Sequence, residues 1–120
     1  MYKKTLVLGA SLKADRYSNI AVNRLKQSGH EVVALGLRKG TINGVTIDTD
    51  LMPYKDINTV TLYLNPKNQV TYYDYILSLN PKRVIFNPGT ENSELYNILK
   101  MNDIDFEVAC TLVLLSTNQY

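Results

Sequence analysis

The run Thr5-Leu6-Val7-Leu8-Gly9 is nearly all apolar and does not alternate. A strand exposed on one face would alternate, so this run predicts a strand covered on both faces, as in a parallel sheet. Soon afterwards the period changes. From about Ser18, Ala21, Val22 and Leu25 recur at helical spacing, with Asn23, Arg24, Lys26 and Gln27 between them. Gly29 follows the last periodic residue, where a helix-ending glycine belongs. Glu31-Val32-Val33-Ala34-Leu35 then reads as a second strand. Strand, turn, helix and strand fit within about 30 residues, the size of a βαβ unit.

The alternation continues down the chain. Gly40 to Ile47 carries Asn43-Gly44 between β-branched pairs, a hairpin signal, and is expected to form a small flap outside the main sheet. Ile57 to Leu64 reads as a third strand. Val70, Tyr73 and Leu77, with Ile76 beside them, predict a helix ending near Asn80-Pro81. Arg83-Val84-Ile85-Phe86 is a fourth strand. Leu95, Ile98 and Leu99 give a third helix, with Asn102 as its expected left-handed stop. Ile104, Phe106 and Val108 alternate with Asp105 and Glu107, as a strand at a sheet edge does. An apolar tail, Leu112 to Leu115, follows. Strands alternating with helices imply an α/β fold: a three-layer, Rossmann-like, doubly wound parallel sheet of five strands with a small hairpin insertion. Residues 1–120 are expected to make a single domain, since 120 residues suffice for one compact unit.

Composition narrows the function classes. A net charge of +2 gives no electrostatic case for nucleic acid or membrane binding. The single cysteine, Cys110, excludes an internal disulfide and suits a reducing compartment. Met1-Tyr2-Lys3-Lys4-Thr5 runs straight into the first strand and leaves no room for a signal peptide, so the expected setting is cytoplasmic.

In doubly wound sheets a ligand binds outside the carboxyl ends of the strands. The first such end reads Leu8-Gly9-Ala10-Ser11-Leu12-Lys13-Ala14-Asp15-Arg16-Tyr17-Ser18. A dinucleotide fingerprint would have glycine at positions 11 and 14, where Ser11 and Ala14 stand. Gly9 still permits a tight turn. Ser11 and Ser18 offer hydroxyls, Ser18 can cap the helix, and a helix start is itself an anion site. Arg16 adds a donor fork suited to phosphate. The segment reads either as a pyrophosphate clamp built from side chains or as a surface loop.

After the second strand comes Leu35-Gly36-Leu37-Arg38-Lys39. NAD enzymes usually place an acid there, on the ribose hydroxyls. Two bases suit instead an adenosine with an extra phosphate, 2′ in NADP or 3′ in coenzyme A. Asn65-Pro66 and Asn87-Pro88-Gly89 follow the third and fourth strands, where they can serve as turn punctuation or as ligand contacts. His30 lies just past a helix end, opposite the expected site, and suits a helix-terminal role. Cys110, in an apolar stretch, reads as a buried inert thiol. No Cys/His cluster has metal-ligand spacing, and no base or nucleophile stands near the strand ends, which argues against catalytic machinery.

Together these residues resemble the small bacterial coenzyme A-binding proteins, built like the nucleotide-binding domain of the succinyl-CoA synthetase alpha subunit. That family's first turn typically reads Gly-Ala-Ser, a short polar stretch, then Arg-x-Ser; Gly9-Ala10-Ser11 and Arg16-Tyr17-Ser18 stand at matching spacing. Gly29-His30, Arg38-Lys39, Asn43-Gly44-Val45, the Pro88-Gly89 pair and Ala109-Cys110-Thr111 extend the likeness over the whole chain. It departs at Leu35-Gly36-Leu37, where the family often has Val-Asn-Pro. The resemblance implies coenzyme A or an acyl-CoA as ligand, with Gly9, Ala10, Ser11, Arg16, Tyr17 and Ser18 around the pyrophosphate. It implies Leu37, Arg38 and Lys39 near the ribose and its 3′-phosphate. Asn65, Pro66, Asn87, Pro88 and Gly89 would border the pantetheine path. The expected protein is a stand-alone binding domain. The rival readings are a minimal NADP-dependent oxidoreductase and a nucleotide-sensing or docking module, homodimeric or paired with another protein through the edge strand or the apolar tail.

Overall fold

In the computed structural model, which describes residues 2–120, every apolar run read as a strand enters one sheet. The elements in chain order are β1 (Thr5–Ala10), α1 (Tyr17–Gln27), β2 (Val32–Gly36), β3 (Gly40–Ile42), β4 (Val45–Asp48), β5 (Thr59–Leu62), α2 (Pro66–Gln69), a 3₁₀ turn (Val70–Tyr72), α3 (Tyr73–Leu79), β6 (Arg83–Phe86), α4 (Ser93–Met101), β7 (Asp105–Val108) and α5 (Thr111–Ser116). The strand order is β3-β4-β2-β1-β5-β6-β7.

The sheet has seven strands, not the expected five, and it is not wholly parallel. The hairpin is not a flap outside it. β3 and β4 pair antiparallel around Asn43-Gly44, and β4 continues the parallel ladder through Ala34↔Ile47 and Leu35↔Asp48. The reason is apolar burial: Val45 and Ile47 alternate inward and join the core instead of pointing to water.

Alternate residues of β1 feed two cores. Leu6 and Leu8 pack with Ile76, Leu95 and Leu99 under α3 and α4, while Val7 and Ala10 pack with Val22 and Leu25 under α1. Leu115 of α5 packs on the second core, so part of the apolar tail is covered by the sheet itself. Each fully buried leucine such as Leu25 contributes roughly 1.5–3 kcal/mol. The three layers expected from the sequence are thus present.

Local differences have local causes. The helix expected around Val70, Tyr73 and Leu77 starts earlier, because Asn65 accepts from the Asn68 N–H and Pro66 occupies the first helical position. It breaks into a 3₁₀ turn, leaving Val70 exposed. Asn102 is not left-handed; that conformation falls on Asp103, at φ +56°. Ser18 is not the cap of α1. The cap position is Arg16, without a side-chain bond, and Ser18 lies buried inside the first turn. Cys110 is half-buried at the start of α5 rather than fully enclosed.

Candidate functional site

β2 and β5 flank β1 on opposite sides, so the chain reverses its winding direction there. A crevice opens outside the carboxyl ends of strands at such a point. Gly9 starts it. The residue has φ +100° and sits at a register slip between Leu8 and Ala10. A side chain there would meet the Tyr63 backbone at 3.0 Å. Gly36 is needed for a different reason: a Cβ would stand 2.3 Å from the Ala10 carbonyl oxygen. The two glycines let the ends of β1, β2 and β5 converge.

The crevice is a cleft of about 610 Å³, within the range that holds small-molecule ligands. The segment from the end of β1 to the start of α1 lines it with Gly9 to Lys13 and Arg16 to Ser18. Ser11 Oγ accepts from the Lys13 N–H at 3.2 Å, and Asn19 donates its side-chain amide to the Ser11 carbonyl at 2.9 Å. The Asn19 and Ile20 N–H groups both reach the Arg16 carbonyl. Those of Tyr17 and Ser18, the two residues before them, have no intrahelical acceptor.

Of the residues singled out in the sequence, Gly9, Ala10, Ser11, Arg16, Tyr17 and Ser18 line the cleft, as do Leu37, Arg38, Asn65, Pro88 and Gly89. Lys39, Pro66 and Asn87 do not. Lys39 is exposed. Asn87 is buried and fully engaged: it donates to Thr61 Oγ1 at 2.6 Å and the Leu62 carbonyl at 2.9 Å, and accepts from the Thr111 N–H at 2.8 Å. Both of its N–H donors are used inside the fold, and the side chain does not line the cleft.

Lys13, Leu12, Tyr63, Leu64 and Tyr72 line the cleft without having been singled out. Lys13 was legible as a third polar position between Ser11 and Arg16, and Tyr63 as the end of an apolar strand run. Nothing in the periodicity marked Tyr72, which lies in the 3₁₀ turn and lines the cleft.

The charges are one-sided. Lys13, Arg16 and Arg38 line the cleft, and no aspartate or glutamate does. None of the three takes part in an ion pair among the described residues.

The sequence profile of the family described as "CoA binding domain" matches residues 3–116. The chain belongs to that family. Among solved structures, one described as an uncharacterized protein is 51% identical to this CoA binding domain, with a TM-score of 0.97 over 100% of this chain and 99% of the other. A hypothetical protein from Pyrococcus horikoshii OT3 is 27% identical, with a TM-score of 0.82 over 93% and 80% of the two chains. A protein from Thermus thermophilus shares the fold, at 20% identity and a TM-score of 0.86 over 99% and 91%. No curated relative matches the chain.

Within this CoA binding domain Tyr63, one of three tyrosines lining the cleft, is a neutral group. Burial pushes the Tyr63 hydroxyl up to about 12, against opposing hydrogen bonds with Thr111 and Thr61. At neutral pH it keeps its proton. On the far side of the sheet, Tyr54 donates to the Asp48 carboxylate at the end of β4. Burial, then that bond, holds the Tyr54 proton well above the ordinary tyrosine range. Tyr75 donates to the Met52 carbonyl at 2.6 Å, so two hydroxyls strap the segment after β4 onto the core. No helix among the described residues is long and apolar enough to cross a membrane.

His30 stands just past the end of α1, as its helix-terminal reading expects, with its N–H on the Leu25 carbonyl. Its Nδ1 accepts the Lys3 N–H at 2.9 Å, which requires the neutral ring. Burial first, then the positive charges of Lys3 and Arg83, lowers its pKa. It lies at the amino ends of the strands with Tyr120, whose ring is tilted against it with centroids 4.8 Å apart.

Proposed function

We propose that the protein binds coenzyme A, free or acylated, with its pyrophosphate at the turn from β1 to α1, and that it does so as a stand-alone domain without catalytic machinery of its own. The observation that carries the reading is the cleft's charge: three cationic side chains, no carboxylate, and free amides at the start of an 11-residue helix. Backbone amides at a helix start favour anions, and an arginine fork matches phosphate geometry. Arg16, Ser11 and the Tyr17 and Ser18 amides receive the pyrophosphate. Lys13 adds charge beside them. Arg38, after β2, meets the 3′-phosphate. Leu64, Asn65, Tyr72 and the Pro88–Thr90 turn carry no charge and suit the neutral amides of the pantetheine arm. The free thiol of Cys110 suits a reducing, cytoplasmic setting.

The second reading, an NADP-binding domain, draws on the same Arg38. A calorimetric competition separates the two. The protein is titrated with coenzyme A in the presence and absence of excess NADPH. The proposal expects binding that NADPH barely affects. Binding of NADPH alone would replace coenzyme A with the nicotinamide cofactor.

A further inference from the structure

Gln69 ends α2 and is fully buried, although its side chain is a primary amide. Such a group is tolerated only when its hydrogen bonds are made. Here all are. The Nε2 group donates to the Leu64 carbonyl and to the Thr90 carbonyl, each at 2.8 Å. Oε1 accepts from Asn92 Nδ2 at 2.9 Å. Two carbonyl acceptors leave the amide only one orientation. Asn92 is held in turn: its other amide hydrogen goes to the Tyr73 hydroxyl at 2.8 Å, and its oxygen caps α4 through the Leu95 N–H.

Leu64 and Thr90 belong to different loops. One follows β5 and the other follows β6, and both line the cleft. The ladder between those strands stops at Leu62↔Phe86, short of either loop. Asn87 ties the base of the gap through the Leu62 carbonyl. Beyond that point Gln69 joins the two rims, and it does so from behind the cleft wall.

We propose that Gln69 is a positioning residue for the bound ligand: its amide sets the separation of the β5 and β6 loops, and so the shape of the uncharged half of the cleft. This rests on the coenzyme A reading. The charged half, with Lys13, Arg16 and Arg38, is carried by β1, α1 and β2 and makes no bond to Gln69. Loss of the bridge therefore weakens the grip on the pantetheine arm and spares the grip on the nucleotide.

Two ligands read the two halves: coenzyme A, and adenosine 3′,5′-bisphosphate, which lacks the arm. Calorimetry on the wild type, Gln69→Met and Asn92→Ser compares them. Methionine keeps the length of the side chain and removes both donors. Serine keeps a cap for α4 and removes the donor to Gln69, so it carries the test if Gln69→Met fails to fold. Gln69→Met is expected to bind coenzyme A roughly tenfold more weakly, as for the loss of about one hydrogen bond's worth of free energy, and Asn92→Ser, which keeps both Gln69 donors on their carbonyls, to weaken it in the same direction by a smaller factor, with the bisphosphate affinity unchanged in both. Unchanged coenzyme A affinity in a folded variant overturns the proposal. Equal weakening of both ligands also overturns it, since that is general loosening. A wild type that binds neither ligand overturns the coenzyme A reading itself, and this proposal with it.

Discussion

The side-chain oxygen of Asn87 accepts the backbone N–H of Thr111 at 2.8 Å, tying the end of β6 to the start of α5. The same side chain donates to Thr61 and Leu62. One buried amide thus joins three segments beneath the cleft without opening onto it. Asn87→Ala leaves the Thr111 N–H and the Leu62 carbonyl without that partner and is expected to cost about 2–3 kcal/mol of stability. Urea unfolding checks this. Coenzyme A affinity of the folded fraction is expected to stay near wild type, which distinguishes a structural role from ligand contact.

Gly36 stands where two backbones nearly touch. Gly36→Ala forces the Ala10 carbonyl away from a Cβ that would sit 2.3 Å from it. Overpacking of this kind costs about 1–3 kcal/mol, and here it also moves the turn that receives the pyrophosphate. Both thermal stability and coenzyme A affinity are expected to fall in this variant, in contrast to Asn87→Ala.

His30 gives the fold a pH dependence of definite sign. Its pKa in the folded state lies below its unfolded value, 6.5, through burial and then the charges of Lys3 and Arg83. The unfolded chain therefore takes up the proton first. Stability is complete above the unfolded pKa and falls as pH drops below it toward the folded value. Protonation also ends the Lys3 N–H···Nδ1 bond. Unfolding titrations between neutral and mildly acidic pH are expected to show this loss. In His30→Gln, which keeps an acceptor and cannot titrate, the slope is expected to flatten.

Arg38 and Lys39 are neighbours in sequence with different surroundings. Arg38 lines the cleft and Lys39 does not. Arg38→Ala is expected to weaken coenzyme A binding roughly tenfold and to leave dephospho-coenzyme A unaffected. Lys39→Ala is expected to change either by less than about twofold, as for a solvated charge. Parallel titrations with the two ligands check both.

These contrasts mark where the chain was legible. The runs at Thr5–Gly9 and Arg83–Phe86 and the Leu95–Leu99 period announced their elements, because burial on both faces or on one stripe leaves a period that can be counted. The hairpin's turn was equally plain. Its place in the sheet was not, since that depends on two residue pairs between β2 and β4 that no local pattern encodes. At the first turn, the loop residues from Gly9 to Ser18 were readable as a group because chemistry and spacing agree there. Asn87 and Arg38-Lys39 were readable only as types. Whether an asparagine after a strand faces a ligand or bonds inward to Thr61 is decided by packing across elements. Gln69 carried no signal at all: an amide at a helix end reads as surface until the two loops it joins are seen together.

The central claim is that cations at the turn from β1 to α1 hold the diphosphate of coenzyme A. The direct measurement is a calorimetric titration of wild type and Arg16→Ala with coenzyme A, at low and at physiological ionic strength. The account predicts clear binding by the wild type. It also predicts a loss of about 1.5–3 kcal/mol in Arg16→Ala, as for hydrogen bonds to a charged group, with a smaller salt dependence in the variant. No binding by the wild type at millimolar coenzyme A, or equal affinities in a folded variant, would contradict it.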